Sequence, residues 1–444
     1  MTKLEGEGPK LERVLGVGTT ALVGLGVAIG SGILRTPPVV AQQLRDPVWI
    51  LVAWGLGGLA MLASSLVMAE LATRFPRSGG EYAWLQAAYG RFTAFFFGWG
   101  YTVFIVGGGA GTIAAAFGDA AVELIGGTYP RAWAGGAVIV VVLANMAGIR
   151  AGAAMQNLLT VLKVVIVLGV FGLALWAGAP PAAASVAPVV TEPGLGAWIL
   201  ALPPVIWAYA GSTDAVKLGG EIRDPSRTIP RALFASIGSL ALLYLLVNAG
   251  LLYALGVDGL AESELPVVEV TGRVLGPAGA GLVAAASSVV FLGGLSSTML
   301  ATVRVAWALG RDGLGFGFLG RMSPSQSPNG ALAFVGAIAF SFAVFRDFES
   351  ILGVYFLAGA ILFGLVYASL LVFRARDPVG GPPQGVFRCP APHLMVGLML
   401  TVQGAMAIRL VLANPFDSLL TLGALAALAV LGYGWVVARV ERDG

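Results

Sequence analysis

One cysteine and one histidine stand in 444 residues, and only 11% of the chain is charged. Cys389 alone cannot form a disulfide within the chain, and with His393 it is too little for a Cys/His metal cluster. The scarcity of charge excludes more. A soluble domain carries roughly 25% charged residues. This chain is 57% hydrophobic with a mean hydropathy of +0.87, so it lacks the polar residues to cover a water-facing surface. The formal net charge of +3 is small for this length and gives no electrostatic footprint for nucleic acid. No removable signal peptide is expected, because residues 1–13 form a mixed-charge tail and the first apolar run exceeds a signal core.

What the chain has is apolar runs of about 20 residues, repeated along its length. They predict an all-α integral membrane protein with about twelve spans, at 14–42, 48–73, 92–123, 131–148, 154–178, 197–219, 230–255, 279–309, 331–346, 349–373, 391–412 and 416–438. An even count puts both termini on one side. Lys3, Lys10, Arg13, Arg74, Arg77, Arg150, Arg223, Arg227, Arg311 and Arg374 fall on that side, against few basic residues opposite, such as Arg45, Arg131 and Arg273. The positive-inside rule then predicts cytoplasmic termini in a multi-pass protein of the cell membrane. No soluble domain and no soluble partner are predicted, and the lipid bilayer is the expected surrounding.

Two spans are interrupted near their centres. The first reads TTALVGLGVAIGSGILRTPPVV, with Gly30, Ser31 and Gly32 at its middle and Pro37 and Pro38 closing it. The sixth reads AWILALPPVIWAYAGSTDAVKL, broken at Pro203, Pro204 and Gly211. First and sixth are the openings of two five-span repeats, and matched interruptions point to a transport site at the membrane midplane. The division is then a tail (1–13), a first repeat (14–178), an external Pro/Ala-rich linker (179–196), a second repeat (197–373), a cytoplasmic loop (374–390), two further spans (391–438) and a tail (439–444).

Unwound backbone inside lipid must be satisfied by something. The N–H groups of Ser31, Gly32 and Ile33 would open the second half-helix at its positive dipole end, which suits a carboxylate. Carbonyls near Ala28 and Ile29, and near Trp207, Ala208 and Tyr209, suit an ammonium. A ligand with both groups on adjacent atoms is an α-amino acid. The bland reading of Gly26 and Gly30 is a G-x-x-x-G packing pair.

Four stretches resemble one family: IGSGIL (29–34), AELATRFPRSGGEYAWL (69–85), WAYAGSTDAVKLGGEIRDPSRTIPRAL (207–233) and RVAWALGRDGLGFGFLGRMSP (304–324). The chain resembles an amino acid–polyamine–organocation (APC) superfamily permease, near the L-type amino acid transporter and bacterial amino acid permease branch. The resemblance implies the LeuT-type fold with a 5+5 inverted repeat. It implies carboxylate contacts at Ser31, Gly32 and Ile33, and ammonium contacts at Ile29, Trp207, Ala208 and Ala210. It makes Trp207 the aromatic gate over bound substrate, where the L-type branch usually has Phe.

Lys163 lies two to three turns inside the fifth span, where a cation costs roughly 2.5–3.5 kcal/mol. It could snorkel to the interface. The resemblance implies instead that its ammonium replaces the cation that sodium-coupled relatives bind between helices one and eight. Its expected neighbours are carbonyls near Gly26 and Val27 and a hydroxyl from Ser297 or Thr298. Lys163 would then be a cation surrogate or a proton site, and transport would not need sodium.

Asp214, Lys217 and Glu221 are spaced to pair along one helix face, or to serve substrate selection or cytoplasmic gating. Glu70 and Arg304, near cytoplasmic ends, are expected to be structural or gating residues. GGGAG at 107–111 reads either as close packing or as room beside a substrate side chain. The expectation is a sodium-independent carrier of neutral amino acids, as proton symporter or exchanger, with no cofactor. Cationic amino acids or polyamines are the alternative substrates. A channel, an osmolyte carrier or a membrane-embedded enzyme are the competing classes. An enzyme would want a catalytic pair, and His393 lies far along the chain from both breaks.

Overall fold

The computed structural model describes residues 12–147, 149–179, 192–276, 278–345, 348–377, 384–413 and 415–443. Most of the expected N-terminal tail, the linker at 180–191, the loop at 378–383 and the side chain of Ser31 lie outside them. Among the described residues the regular structure is helical, with two isolated β-bridges, Leu15 to Ile222 and Ser78 to Leu218.

In chain order the helices are α1 (Val17–Ala28), α2 (Ser31–Leu44), α3 (Pro47–Arg74), α4 (Glu81–Tyr89) and α5 (Arg91–Gly100). A π-helical turn (Tyr101–Gly107) joins α5 to α6 (Gly108–Ile125) in one long span. Then come α7 (Pro130–Met146), α8 (Ile149–Ala177), α9 (Leu195–Tyr209), α10 (Pro225–Glu262), α11 (Pro266–Leu275) and α12 (Ala278–Arg311). The last four are α13 (Asn329–Phe345), α14 (Phe348–Arg376), α15 (Pro392–Ala413) and α16 (Pro415–Asp443).

Among the described residues eight helices are long and apolar enough to cross a membrane, and α1 with α2, bent by 52°, makes a ninth if counted as one span. Helices α7, α9 and α13 are apolar but shorter. Local chemistry explains the sharper boundaries. Asp46 caps α3 by accepting from Val48 N at 2.8 Å and Trp49 N at 3.0 Å, with Pro47 preset at the first position.

Helix α1 packs among α8, α10 and α12, while α2 packs on α9 and α10. The broken elements therefore form the interior. Helices α8, α15 and α16 leave most of their apolar length exposed, through residues such as Val165, Trp176, Leu412 and Val430, the face a bilayer covers.

The prolines behave differently from the expectation. Pro37 and Pro38 sit inside α2, which runs on to Leu44, and Pro203 and Pro204 sit inside α9, which runs on to Tyr209. Each proline removes one N–H from the ladder, but neighbouring helices let a packed membrane helix carry that loss. The second interruption begins only at Ala210 and Gly211. Beyond Gly211 the chain does not resume an α-helix but makes two short 3₁₀ turns, Asp214–Lys217 and Gly219–Glu221.

Candidate substrate site between two helix breaks

At the first break Ile29 and Gly30 leave helical geometry, and α2 restarts at Ser31. Gly30 precedes α2 with no side chain capping it, so the first-turn N–H groups of Ser31, Gly32 and Ile33 keep their anion-binding capacity. The second break passes close by. A Cβ on Gly32 would stand 2.7 Å from Ala208 Cα, and one on Gly211 would stand 2.3 Å from Val27 Cγ1. Gly211 also has φ of +85°, so glycine is required there twice over.

Tyr244, on α10, joins the two breaks. Its buried hydroxyl lies 3.0 Å from Ala28 O and 2.8 Å from Ala208 O. It has one proton to donate, so the two carbonyls share it. The other expected carbonyls are also engaged: Trp207 O accepts from Ala210 N at 2.9 Å, and Tyr209 O from Ser212 N at 3.3 Å. Each keeps a second lone pair for a ligand.

A cavity opens against both breaks. Gly30, Gly32, Trp207, Ala210 and Gly211 line it, and so do Thr298, Thr302, Tyr101, Tyr355 and Asp214. Ile29, Ile33, Ala208 and Tyr209 lie buried behind that wall. The Tyr209 side chain turns to α3, where its hydroxyl donates to Trp54 O at 3.0 Å. A second apolar lobe extends from Trp207 and Tyr355 to Met61, Phe356, Met399 and Met406. Trp207, on the wall that the two lobes share, meets Phe356 edge to face at 6.0 Å.

The fifth-span lysine does not snorkel. Lys163 is fully buried, and its ammonium donates to Gly26 O at 2.7 Å and Ile29 O at 2.9 Å. Gly293 of α12 faces it closely, since a Cβ there would stand 2.5 Å from Lys163 Cε. Of the two expected hydroxyls, Ser297 donates to Gly293 O at 2.6 Å, and Thr298 lines the cavity.

Among the described residues, charged side chains form two buried clusters and a third that is partly exposed. Lys217 donates to Glu81 Oε1 at 2.8 Å and to Asp214 Oδ1, with the Tyr101 ring 5.0 Å away. Glu221 does not join them. It accepts from Arg304 at 3.0 and 3.2 Å, because the 3₁₀ turns break the helical face on which it would have met Lys217. Glu70 accepts from Arg74 at 2.7 Å, from Arg374 at 2.6 Å and from Cys389 N at 2.7 Å, and Arg74 also holds Asp377 at 2.7 Å. The Arg74 guanidinium keeps the Asp377 carboxyl below the usual carboxylate range, and burial pushes the Cys389 thiol up to about 11.

The glycine run packs closely on one side and borders the cavity on the other. Gly107 and Gly111 abut Ile338 and Phe342 of α13, while Gly109 opens onto the cavity beside Tyr355.

The sequence model of the family described as "Amino acid permease" matches residues 15–433, nearly the whole chain. This chain belongs to the amino acid permease family. The permease is 26% identical over 378 residues to the serine/threonine exchanger SteT of Bacillus subtilis, covering 82% of this chain and 84% of that one. It is 27% identical over 373 residues to the human b(0,+)-type amino acid transporter 1, covering 82% and 76%. It is 28% identical over 440 residues to an uncharacterized transporter of Mycobacterium tuberculosis, covering 96% and 91%. The APC resemblance therefore holds along the chain. Sequence reasoning missed Tyr244, Tyr101, Tyr355 and Glu81. No spacing rule marks a residue that reaches a site from another helix, although the GGE of 79–81 lies within a stretch that carries the resemblance.

Proposed function

We propose that this permease carries neutral amino acids across the cell membrane by secondary active transport with alternating access, without sodium, as proton symporter or exchanger. The observation that carries the reading is the pair of breaks. Residues of an uncapped helix start, Gly30 and Gly32, and of two helix ends, Ala28 and Trp207, line one cavity, the setting that a carboxylate and an ammonium on adjacent atoms require. Eight long spans, one bent pair and three shorter apolar helices support about twelve crossings. The breaks at α1/α2 and after α9 support a LeuT-type 5+5 repeat over 14–178 and 197–373. The basic clusters support cytoplasmic termini. Lys163, buried and seated on the carbonyls of Gly26 and Ile29, supports sodium independence. A relative named for serine and threonine exchange supports a small neutral substrate.

Asp214 on the cavity wall favours a second reading, a cationic amino acid or polyamine, although Lys217 already pairs with that carboxylate. The test is uptake of labelled alanine, serine, leucine and arginine into proteoliposomes, with unlabelled competitors. Neutral amino acids should compete, and their methyl esters, which lack the carboxylate, should not. Competition by esters equal to the parent amino acids would remove the carboxylate assignment. Preference for arginine would install the second reading.

A further inference from the structure

The cluster around Lys217 has one more acid than base. Glu81 is fully buried, its Oε1 accepts from Lys217, and its Oε2 has no hydrogen-bond partner. With all three groups ionised, Asp214, Lys217 and Glu81 carry a net charge of −1, with Lys217 and Glu81 fully buried and only Asp214 reaching the cavity. An uncompensated buried charge is costly, and one bound proton removes it. Burial pushes the Glu81 carboxyl above its ordinary range. Lys217 opposes that shift, and Asp214 adds to it.

The other titratable groups around it have settled partners or neutral rings. Tyr101 offers its ring to Lys217, and Tyr367 of α14 exchanges a hydrogen bond with Ser64 at 2.9 Å. Tyr355, also of α14, lines the cavity beside Asp214. On α12, Arg304 holds Glu221, and Arg311 pairs with Asp312.

Position makes this acid more than a buried oddity. Gly79 N donates to Lys217 O at 3.0 Å, Ser78 bridges Leu218, and a Cβ on Gly80 would stand 3.1 Å from Lys217 Cα. The loop that carries Glu81 is therefore docked on the backbone of the second break. Asp214, the other partner of Lys217, lines the cavity. A shift of the broken segment against that loop changes the salt bridge and the access of water to Glu81 together.

We propose that Glu81 binds one proton and releases it in each transport cycle, linked through Lys217 to Asp214 at the cavity. The proton enters from water on one side, sits on Oε2, and leaves to water on the other side. Lys217 keeps its three protons, and no bond to the substrate forms. The inference rests on the amino acid transport reading above and assigns its driving ion.

The test uses the full chain in sodium-free proteoliposomes with a mixture of labelled alanine, serine and leucine. Acid outside should raise wild-type uptake several-fold over equal pH. In Glu81→Gln that ratio should fall to one and the pH profile should flatten. A Glu81→Gln variant that keeps the wild-type ratio and profile overturns the proposal. So does a wild type that takes up amino acids with no response to the gradient, a result that leaves the transport reading standing. No uptake under any condition overturns both. If the variant fails to reach the membrane, infrared spectroscopy of wild-type protein labelled with ¹³C-glutamate decides. A glutamic C=O band that disappears as pH rises through the neutral range supports the proposal, and its absence overturns it.

Discussion

At the scale of single residues, the candidate site is built on backbone groups that side chains hold in place. Lys163 donates to the carbonyls of Gly26 and Ile29, next to the first break. Lys163→Ala leaves both carbonyls without that donor and opens a void beside Gly293. Uptake is expected to fall by at least ten-fold, about 1.4 kcal/mol, with a smaller loss in membrane yield. Normal uptake by that variant would end the cation-surrogate role. Ile33 tests the carboxylate contact. It is the third residue of α2, where the N–H has no intrahelical acceptor. Ile33→Pro therefore removes the proposed ligand donor without removing a helix bond. One charge-assisted hydrogen bond is worth about 1.5–3 kcal/mol, so KM should rise roughly ten- to hundred-fold, and Ile33→Val, which keeps the N–H, should stay near wild type. Gly211 shows what the sequence could and could not tell. Its break was legible as a glycine in a span, but its reason, a positive φ and the Val27 side chain against it, is tertiary.

At the scale of elements, glycine marked the breaks and proline misled. The first break stands where Gly30 and Gly32 put it. The second stands several residues beyond Pro203 and Pro204, because a helix packed on both sides tolerates missing donors and a chain that must pass Val27 at Gly211 does not continue as helix. Tyr244 binds these elements together, and nothing in its local sequence announced it. Tyr244→Phe removes the one proton shared by Ala28 O and Ala208 O. The expected cost is about 1–3 kcal/mol of stability, read as a lower Tm in detergent, with substrate binding weakened as the breaks drift apart. An unchanged Tm and KM would make the hydroxyl incidental. The clamp of Glu70, Arg74, Arg374 and Asp377 gives a pH test. The folded pKa of Asp377 is depressed by Arg74, so its contribution is present above the unfolded value near 4 and lost as pH falls through the lower folded value. The Tm gap between wild type and Asp377→Asn should hold from pH 8 to 5 and close only below about pH 4. The partial exposure of the clamp keeps that gap within about 1 kcal/mol.

At the scale of the whole molecule, the class was legible because a bilayer demands long apolar helices, and the family because four motifs keep their order. The count was harder to read. Helices α7, α9 and α13 are short, and a hydropathy pattern cannot separate a short crossing from a buried core helix. The proposed driving force was least legible, because it rests on charges brought together from distant segments: Lys163 against α1, and Glu81 against Lys217 across 136 positions. These two clusters make a joint prediction. A sodium ion between α1 and α12 would compete with an ammonium already seated on the carbonyls of Gly26 and Ile29, so replacing sodium by choline should leave uptake unchanged. Collapse of the proton gradient with an ionophore should lower uptake in the same vesicles. Exchange against internal amino acid should persist, because a full cavity can cross in both directions with Glu81 protonated throughout. Uptake that requires sodium would mean that Lys163 does not fill the cation's place, and would move the coupling ion from the Glu81 loop back to the first break.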